Sequence, residues 1–237
     1  MALQKSILHL AYPAKCLHCQ TLLPPESLVL CAACASLLDL ICPQARCSTC
    51  FNLLPEESSL LCRDCLHYPS LYSQMGAAFD YDGPAATLVK RLKYANQPYL
   101  ASGMAAFLVA QFDQLQWPLP EAIVPVPLSF THWLERGYNQ SALLADEMGR
   151  LLQCPVWQAL KRQSGDYSQA ALTLEQRKTL EGKRFKLNSK YNLQGRILLV
   201  IDDVMTSGLT LQRCAETLGA GSPASLYALT FCRTFSN

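Results

Sequence analysis

The chain has 237 residues, with 20 Lys and Arg against 18 Asp and Glu, and a formal net charge of +2. That length can bury a full α/β core and still carry a small satellite unit, and so even a charge balance names no partner. No segment approaches the eighteen or so apolar residues of a membrane span, which excludes a transmembrane helix.

The opening MALQKSILHLAYPAKC has one Lys before a short apolar run and no small-residue cleavage site ahead of Cys16. A soluble, cytoplasmic protein is expected. Nine of the twelve cysteines lie before residue 66, and eight of them form four CxxC pairs. These are Cys16/Cys19, Cys31/Cys34, Cys47/Cys50 and Cys62/Cys65, the second four repeating the first at a constant offset of 31. Leu22-Leu23-Pro24 recurs as Leu53-Leu54-Pro55, Glu26-Ser27 as Glu57-Ser58, and Leu30 as Leu61. Each copy is too short for its own apolar core, and four thiolates at this spacing suit tetrahedral Zn²⁺, whose binding supplies the missing folding free energy. Residues 1–70 therefore read as two tandem zinc ribbons with two structural zinc ions; ligands crossed between repeats fit the local spacing less well. A redox role lacks the thioredoxin-like βαβ context. Cys42, Cys154, Cys214 and Cys232 stand alone and read as structural.

Residues 71–237 read as an α/β domain. A strand is expected from Ala77 to Tyr81, ending in a Gly83-Pro84 turn, followed by a helix from Ala85 to Tyr94 with Leu88 and Leu92 on its apolar face. A longer buried helix spans Leu100 to Leu115, a second parallel strand Ala122 to Val126, and a further helix Ser141 to Leu152. Between the last two lies Arg136-Gly137-Tyr138-Asn139-Gln140, on the ligand side of such a sheet. There Gly137 permits a left-handed turn, and Arg136 either pairs with a phosphate or is a surface residue. Residues 161–196 hold nine basic and three acidic side chains, so they form a solvated face or an anion-binding loop. Strands near 184–187, 197–201 and 225–231 complete an open, doubly wound sheet.

The most specific stretch is RILLVIDDVMTSGLTL, Arg196 to Leu211. Ile197 to Ile201 read as a parallel strand buried on both faces, and Asp202 and Asp203 fall where it should end. Val204, Met205, Thr206, Ser207, Gly208, Leu209 and Thr210 then form a loop onto a helix from Leu209 to Leu218, whose free N–H groups suit a phosphate. The acids suit ribose hydroxyls and a hydrated Mg²⁺ rather than the phosphate. The plainer alternative is a pair of acids that cap the helix.

This string resembles the PRPP-binding motif of the type I phosphoribosyltransferases, with Ser207 where a second Thr is common. The resemblance implies that Asp202 and Asp203 hold the ribose hydroxyls and that Met205 to Thr210 wrap the 5′-phosphate. Together with PVPL…RGYNQ, the spacing of Gln169, Leu172, Arg177 and Phe185, the LKY at Leu92–Tyr94 and the cysteine repeats, the chain resembles the ComF family over nearly its whole length. That implies a type I phosphoribosyltransferase-like open parallel sheet with an N-terminal double zinc ribbon. It also implies Mg²⁺-assisted displacement of pyrophosphate from PRPP, with Arg136, and Arg177 on a mobile loop, meeting the pyrophosphate. Lys178, Lys183 and Arg184 would accompany Arg177. His132 stands where a basic residue is usual, and Leu180 where Asn is common. Natural competence further implies single-stranded DNA and the competence machinery, a helicase and DNA-processing factors, as partners. Tyr167, Phe185 and Tyr191 interleave with the basic residues in a way that suits a single strand.

Overall fold

The structure, a computed structural model, describes residues 14–24, 29–54, 60–162 and 185–234. Four parallel strands form the main sheet: β1 (Gln74–Asp80), β2 (Ala122–Pro125), β5 (Ile197–Met205) and β6 (Ser225–Arg233), in the order β1-β6-β5-β2. Short β3 (Leu160–Arg162) and β4 (Phe185–Leu187) pair antiparallel as a separate ribbon. The strand expected near 184–187 is thus present but outside the parallel sheet. Its partner is the 160–162 segment, too short to show a period.

Helices follow from sequence in the ordinary way. Helix α3 (Gly83–Tyr94) begins with Gly83 and Pro84 rather than after them. Proline at the first helical turn loses no hydrogen bond, so the expected turn is the helix start itself. Helices α4 (Leu100–Gln114), α6 (Gln140–Leu152) and α7 (Leu209–Gly219) lie within two residues of expectation. Helix α5 (Phe130–Arg136) was not anticipated: Phe130, Trp133 and Leu134 stand at helical spacing on one side of it, yet all three are exposed rather than turned to the core. Two tiny helices, α1 (Ala32–Ala35) and α2 (Arg63–His67), follow the second CxxC start of each repeat.

The sheet is covered on both faces. Leu92, Met104, Leu108, Leu144, Met148 and Phe231 form one core with α3, α4 and α6, and Tyr72, Leu198, Val200, Leu211, Cys214 and Leu218 form the other beneath α7. Two-sided burial is why the Ile197–Ile201 run does not alternate. The acid pair, expected at the strand end, is inside β5. Neighbouring β6 continues to Arg233, and the ladder persists through Val204↔Cys232 and Met205↔Arg233.

The cysteine repeats dock on the β1 edge. The Met75 and Ile41 backbone N–H groups donate to Thr49 and Ala78 carbonyls, at 2.7 and 2.9 Å. Arg46 pairs with Asp80 at 2.9 Å, and Arg233 donates to the Cys50 carbonyl and the Asn52 side chain. The first repeat touches the sheet domain through Leu17, Val29 and Leu30 against the first core and through His18 beside Thr87. Among the described residues no helix is long and apolar enough to cross a membrane.

Candidate functional site

Two carboxylates in succession on a buried strand need partners, and the folded chain supplies them. Ser141, the second residue of α6, donates its hydroxyl to Asp202 Oδ1 at 2.7 Å, and the Asp203 backbone N–H reaches the same oxygen at 2.9 Å. Lys93, in the last turn of α3, sits 2.9 Å from Asp203 Oδ2. Burial and the Asp203 charge push the Asp202 carboxyl up to about 7, against the lowering effect of the Ser141 and Asp203 donors and of Lys93. The pair thus resists holding two negative charges without a cation.

The rest of the cavity, about 400 Å³, is lined by Lys93, Arg136, Gln140, Thr206 and Thr210, among others. Each part of RGYNQ has a distinct physical task. Gly137 closes α5 in a left-handed turn, at φ +77°, which a side chain would strain. The Tyr138 hydroxyl donates to the Leu92 carbonyl at 2.5 Å, and Arg136 lies 5.0 Å over the Tyr94 ring. Asn139 caps α6, accepting from the Ser141 N–H and donating to the Val126 carbonyl. Buried Gln140 and half-buried Arg136 each leave a polar atom, Oε1 and Nε, without a hydrogen-bond partner. Such atoms are rare unless a ligand or water satisfies them. Tyr138→Phe is expected to cost about 1 kcal/mol, the value of one net hydrogen bond, read as a lower urea midpoint at unchanged slope.

Gly208 adopts φ +74°, and a Cβ built there would meet nothing within 4 Å. Open space over a left-handed glycine, at the start of α7, leaves the loop backbone accessible. Thr206 also lines a second cavity of about 400 Å³ on the side of the second cysteine repeat, and Ser207 and Gly208 line that cavity rather than the one at the acids.

The eight cysteines gather as two local sets, Cys16/Cys19/Cys31/Cys34 and Cys47/Cys50/Cys62/Cys65, with ligand atoms all within 4.8 Å of one another. Sulfur separations of 3.6 Å (Cys19–Cys31) and 3.5 Å (Cys50–Cys62) approach the roughly 3.8 Å edge of a tetrahedron with 2.3 Å Zn–S bonds. The donor sets fit zinc, without crossing between repeats. Against the upward push of burial, backbone N–H donors from Cys50 and Cys62 hold the Cys47 thiol down to about 7, whereas burial pushes the Cys50 and Cys65 thiols of the same set up. Cys214 and Cys232 are buried, and burial pushes both thiols well up, as inert structural cysteines require.

Asp202, Asp203, Arg136, Thr206 and Thr210 therefore meet at one cavity, while Met205 turns to the core beneath α7. Arg177, Lys178, Lys183, Arg184, Gln169, Leu172, Leu180 and Tyr167 lie outside the described residues, as do Glu26-Ser27, Pro55 and Glu57-Ser58. The helical period puts Leu88 and Leu92 on the apolar face and leaves Lys93, like Ser141 and Gln140, without a task. Only the LKY and RGYNQ strings hinted at Lys93 and Gln140, and periodicity cannot tell a solvated lysine from one aimed at a buried acid.

No protein-family model matches the chain. Among solved structures it is similar to a glutamine PRPP amidotransferase from B. subtilis, at 14% identity and a TM-score of 0.42, covering 59% of this chain and 30% of that one. Among curated proteins it is 34% identical over 145 residues to "Competence protein F" of Haemophilus influenzae, covering 58% of this chain and 63% of that protein. It is 31% identical over 176 residues to "DNA utilization protein YhgH" of Salmonella typhi, covering 71% of this chain and 76% of that protein. With that extent of likeness, and with the cysteine repeats and the DDVMTSG loop both in place, the chain belongs to the ComF family.

Proposed function

We propose that the cavity around Asp202 and Asp203 binds PRPP and that two zinc ions hold the cysteine repeats. The observation that carries the first part is the convergence, on one cavity, of an acid pair, a hydroxyl-rich loop at a helix start and two unpartnered polar atoms, Arg136 Nε and Gln140 Oε1. The ribose hydroxyls donate to the carboxylates, the 5′-phosphate takes the N–H groups of the loop from Met205 to Thr210, and Arg136 faces the pyrophosphate. The carboxylate oxygens also suit a hydrated Mg²⁺, which when bound would screen the pyrophosphate charge. In the transferase reading, a nitrogen nucleophile forms a bond to C1 and loses its proton as the C1–O bond breaks, and the electron pair leaves with pyrophosphate. Arg136, and Arg177 beyond the described residues, would meet the charge that develops there.

Calorimetry with PRPP and Mg²⁺ tests this reading. Asp203→Asn is expected to weaken binding by about 10- to 150-fold, the worth of roughly 1.5–3 kcal/mol for hydrogen bonds to a charged group. Unchanged affinity would reduce the acids to a structural role. Pyrophosphate release with candidate nitrogen nucleophiles then separates turnover from binding.

A second reading, a factor that handles single-stranded DNA without turnover, has its own support. Trp157 and Tyr191 stack at 5.4 Å beside the β3–β4 ribbon, and Lys190 lies over Tyr191. Stacked aromatics with adjacent cations suit unpaired bases, and two relatives are named for DNA utilization and competence. Tyr191→Ala is expected to weaken single-stranded DNA and leave PRPP affinity intact.

A further inference from the structure

Asp203 Oδ2 is buried and makes no hydrogen bond, and its one described contact is the ion pair with Lys93. The Lys93 side chain is itself largely buried, at 19% exposure. The other basic side chains that line the cavity have separate attachments: Arg136 lies over Tyr94, and Arg162 over Phe185. Asp202 faces Ser141 rather than a cation. Among the described residues, Lys93 is therefore the cation in contact with the acid pair.

We propose that Lys93 is the built-in counter-ion of the acid pair, holding at Asp203 the place a divalent cation would otherwise take, so that it sets how strongly ligand binding depends on added metal. A buried carboxylate that loses its partner must recover a positive charge from somewhere. With Lys93 present, the acids keep one charge balanced and offer acceptors to a neutral diol. Without it, they become an oxygen-donor site for a hard divalent ion.

The position of Lys93 also ties it to the anion side of the cavity. Its neighbours in the chain, Leu92 and Tyr94, are the contacts of Tyr138 and Arg136 respectively. A ligand that draws on Arg136 therefore lies beside the helical turn that carries Lys93.

The proposal rests on the sugar-phosphate reading only in its second arm. In the first arm, Mn²⁺ is titrated against the zinc-loaded protein and free Mn²⁺ is followed by electron paramagnetic resonance. Lys93→Met is expected to bind one Mn²⁺ about tenfold or more tighter than wild type, since the unpaired carboxylate gains a cation. Lys93→Arg, which keeps the charge, should resemble wild type, and adding Asp203→Asn to Lys93→Met should abolish the gain. Lys93→Gln serves in place of Lys93→Met if the latter does not fold, with circular dichroism as the check. Equal Mn²⁺ affinity in folded wild type and either neutral variant overturns the proposal, because the acid would then have taken up a proton instead. In the second arm, PRPP binding is compared at low and saturating Mg²⁺. The neutral variants should show the steeper Mg²⁺ dependence; equal dependence in wild type overturns the role in ligand binding. If no form binds PRPP while the Mn²⁺ difference stands, the function reading fails and the assignment of Lys93 does not.

Discussion

Elemental analysis of freshly purified protein is expected to give two zinc ions per chain, and losing the second ion is expected to cost more than losing the first. Apparent binding free energies of structural Zn²⁺ are about 10–16 kcal/mol near neutral pH, far beyond what a ribbon of this size gains from its own apolar contacts. Cys16→Ser and Cys47→Ser each remove one of four thiolates and should each lose about one equivalent of metal. Their consequences should differ. The second repeat is bonded to β1 through Thr49 and Ile41, to Asp80 through Arg46, and to β6 through Arg233. The first repeat rests on apolar contacts and the His18–Thr87 bond. Hydrogen exchange should therefore show Cys47→Ser loosening residues 74–80 and 225–233, while Cys16→Ser leaves them protected. One zinc or none in the wild-type protein, or equal exchange in the two variants, would contradict this account.

Asp202→Asn is expected to stabilise the ligand-free protein at pH 8 while weakening its hold on a sugar phosphate. The Asp202 carboxyl is raised from 3.8 to about 7 by burial and by Asp203. A raised carboxyl favours the native state while protonated, so its contribution is full below the unfolded value and is lost as pH rises through the folded one. Ionising it in place costs on the order of 4 kcal/mol at pH 8, taking about 1.4 kcal/mol for each pH unit between the two values. Asparagine keeps an acceptor for Ser141 and carries no such cost. Urea unfolding between pH 6 and 8 should show wild type losing stability up to about pH 7, with the variant flatter and more stable at the upper end. A variant less stable than wild type at pH 8 would mean that the charged pair contributes to the fold. A stabilising change that harms binding is the usual mark of a functional site.

Much of this arrangement was legible in the sequence because it rests on strong local signals. Ile197–Ile201, apolar without alternation, reads as a doubly covered strand, and the offset of 31 between cysteine sets reads as two like ligand groups. The failures share a cause, which is tertiary context overriding local pattern. Gly83-Pro84 looked like a turn because proline punctuates both turns and helix starts. Residues 185–187 could not reveal whether they would join the parallel sheet or pair with 160–162, since a strand of three carries no orientation. Helix α5 was missed because seven residues between a strand and a glycine read as loop, although Phe130, Trp133 and Leu134 stand at helical spacing. Lys93 was hidden because a helical wheel records which side is polar, not what stands opposite it.

The strand order carries a consequence for how the protein is made. Strand β6, the latest of the four in the chain, lies between β1 and β5, so Gln74 meets Tyr227 across 153 residues of sequence. Contacts of such separation form late and slowly. Until then one edge of β1 has no sheet partner, and open strand edges recruit other chains. The opposite edge is different, because Thr49 and Ile41 come from the preceding repeat and can bond to it as soon as it emerges. A metal-bound repeat would thus act as a local escort for a nascent strand, and zinc supply during synthesis would govern the yield of soluble protein.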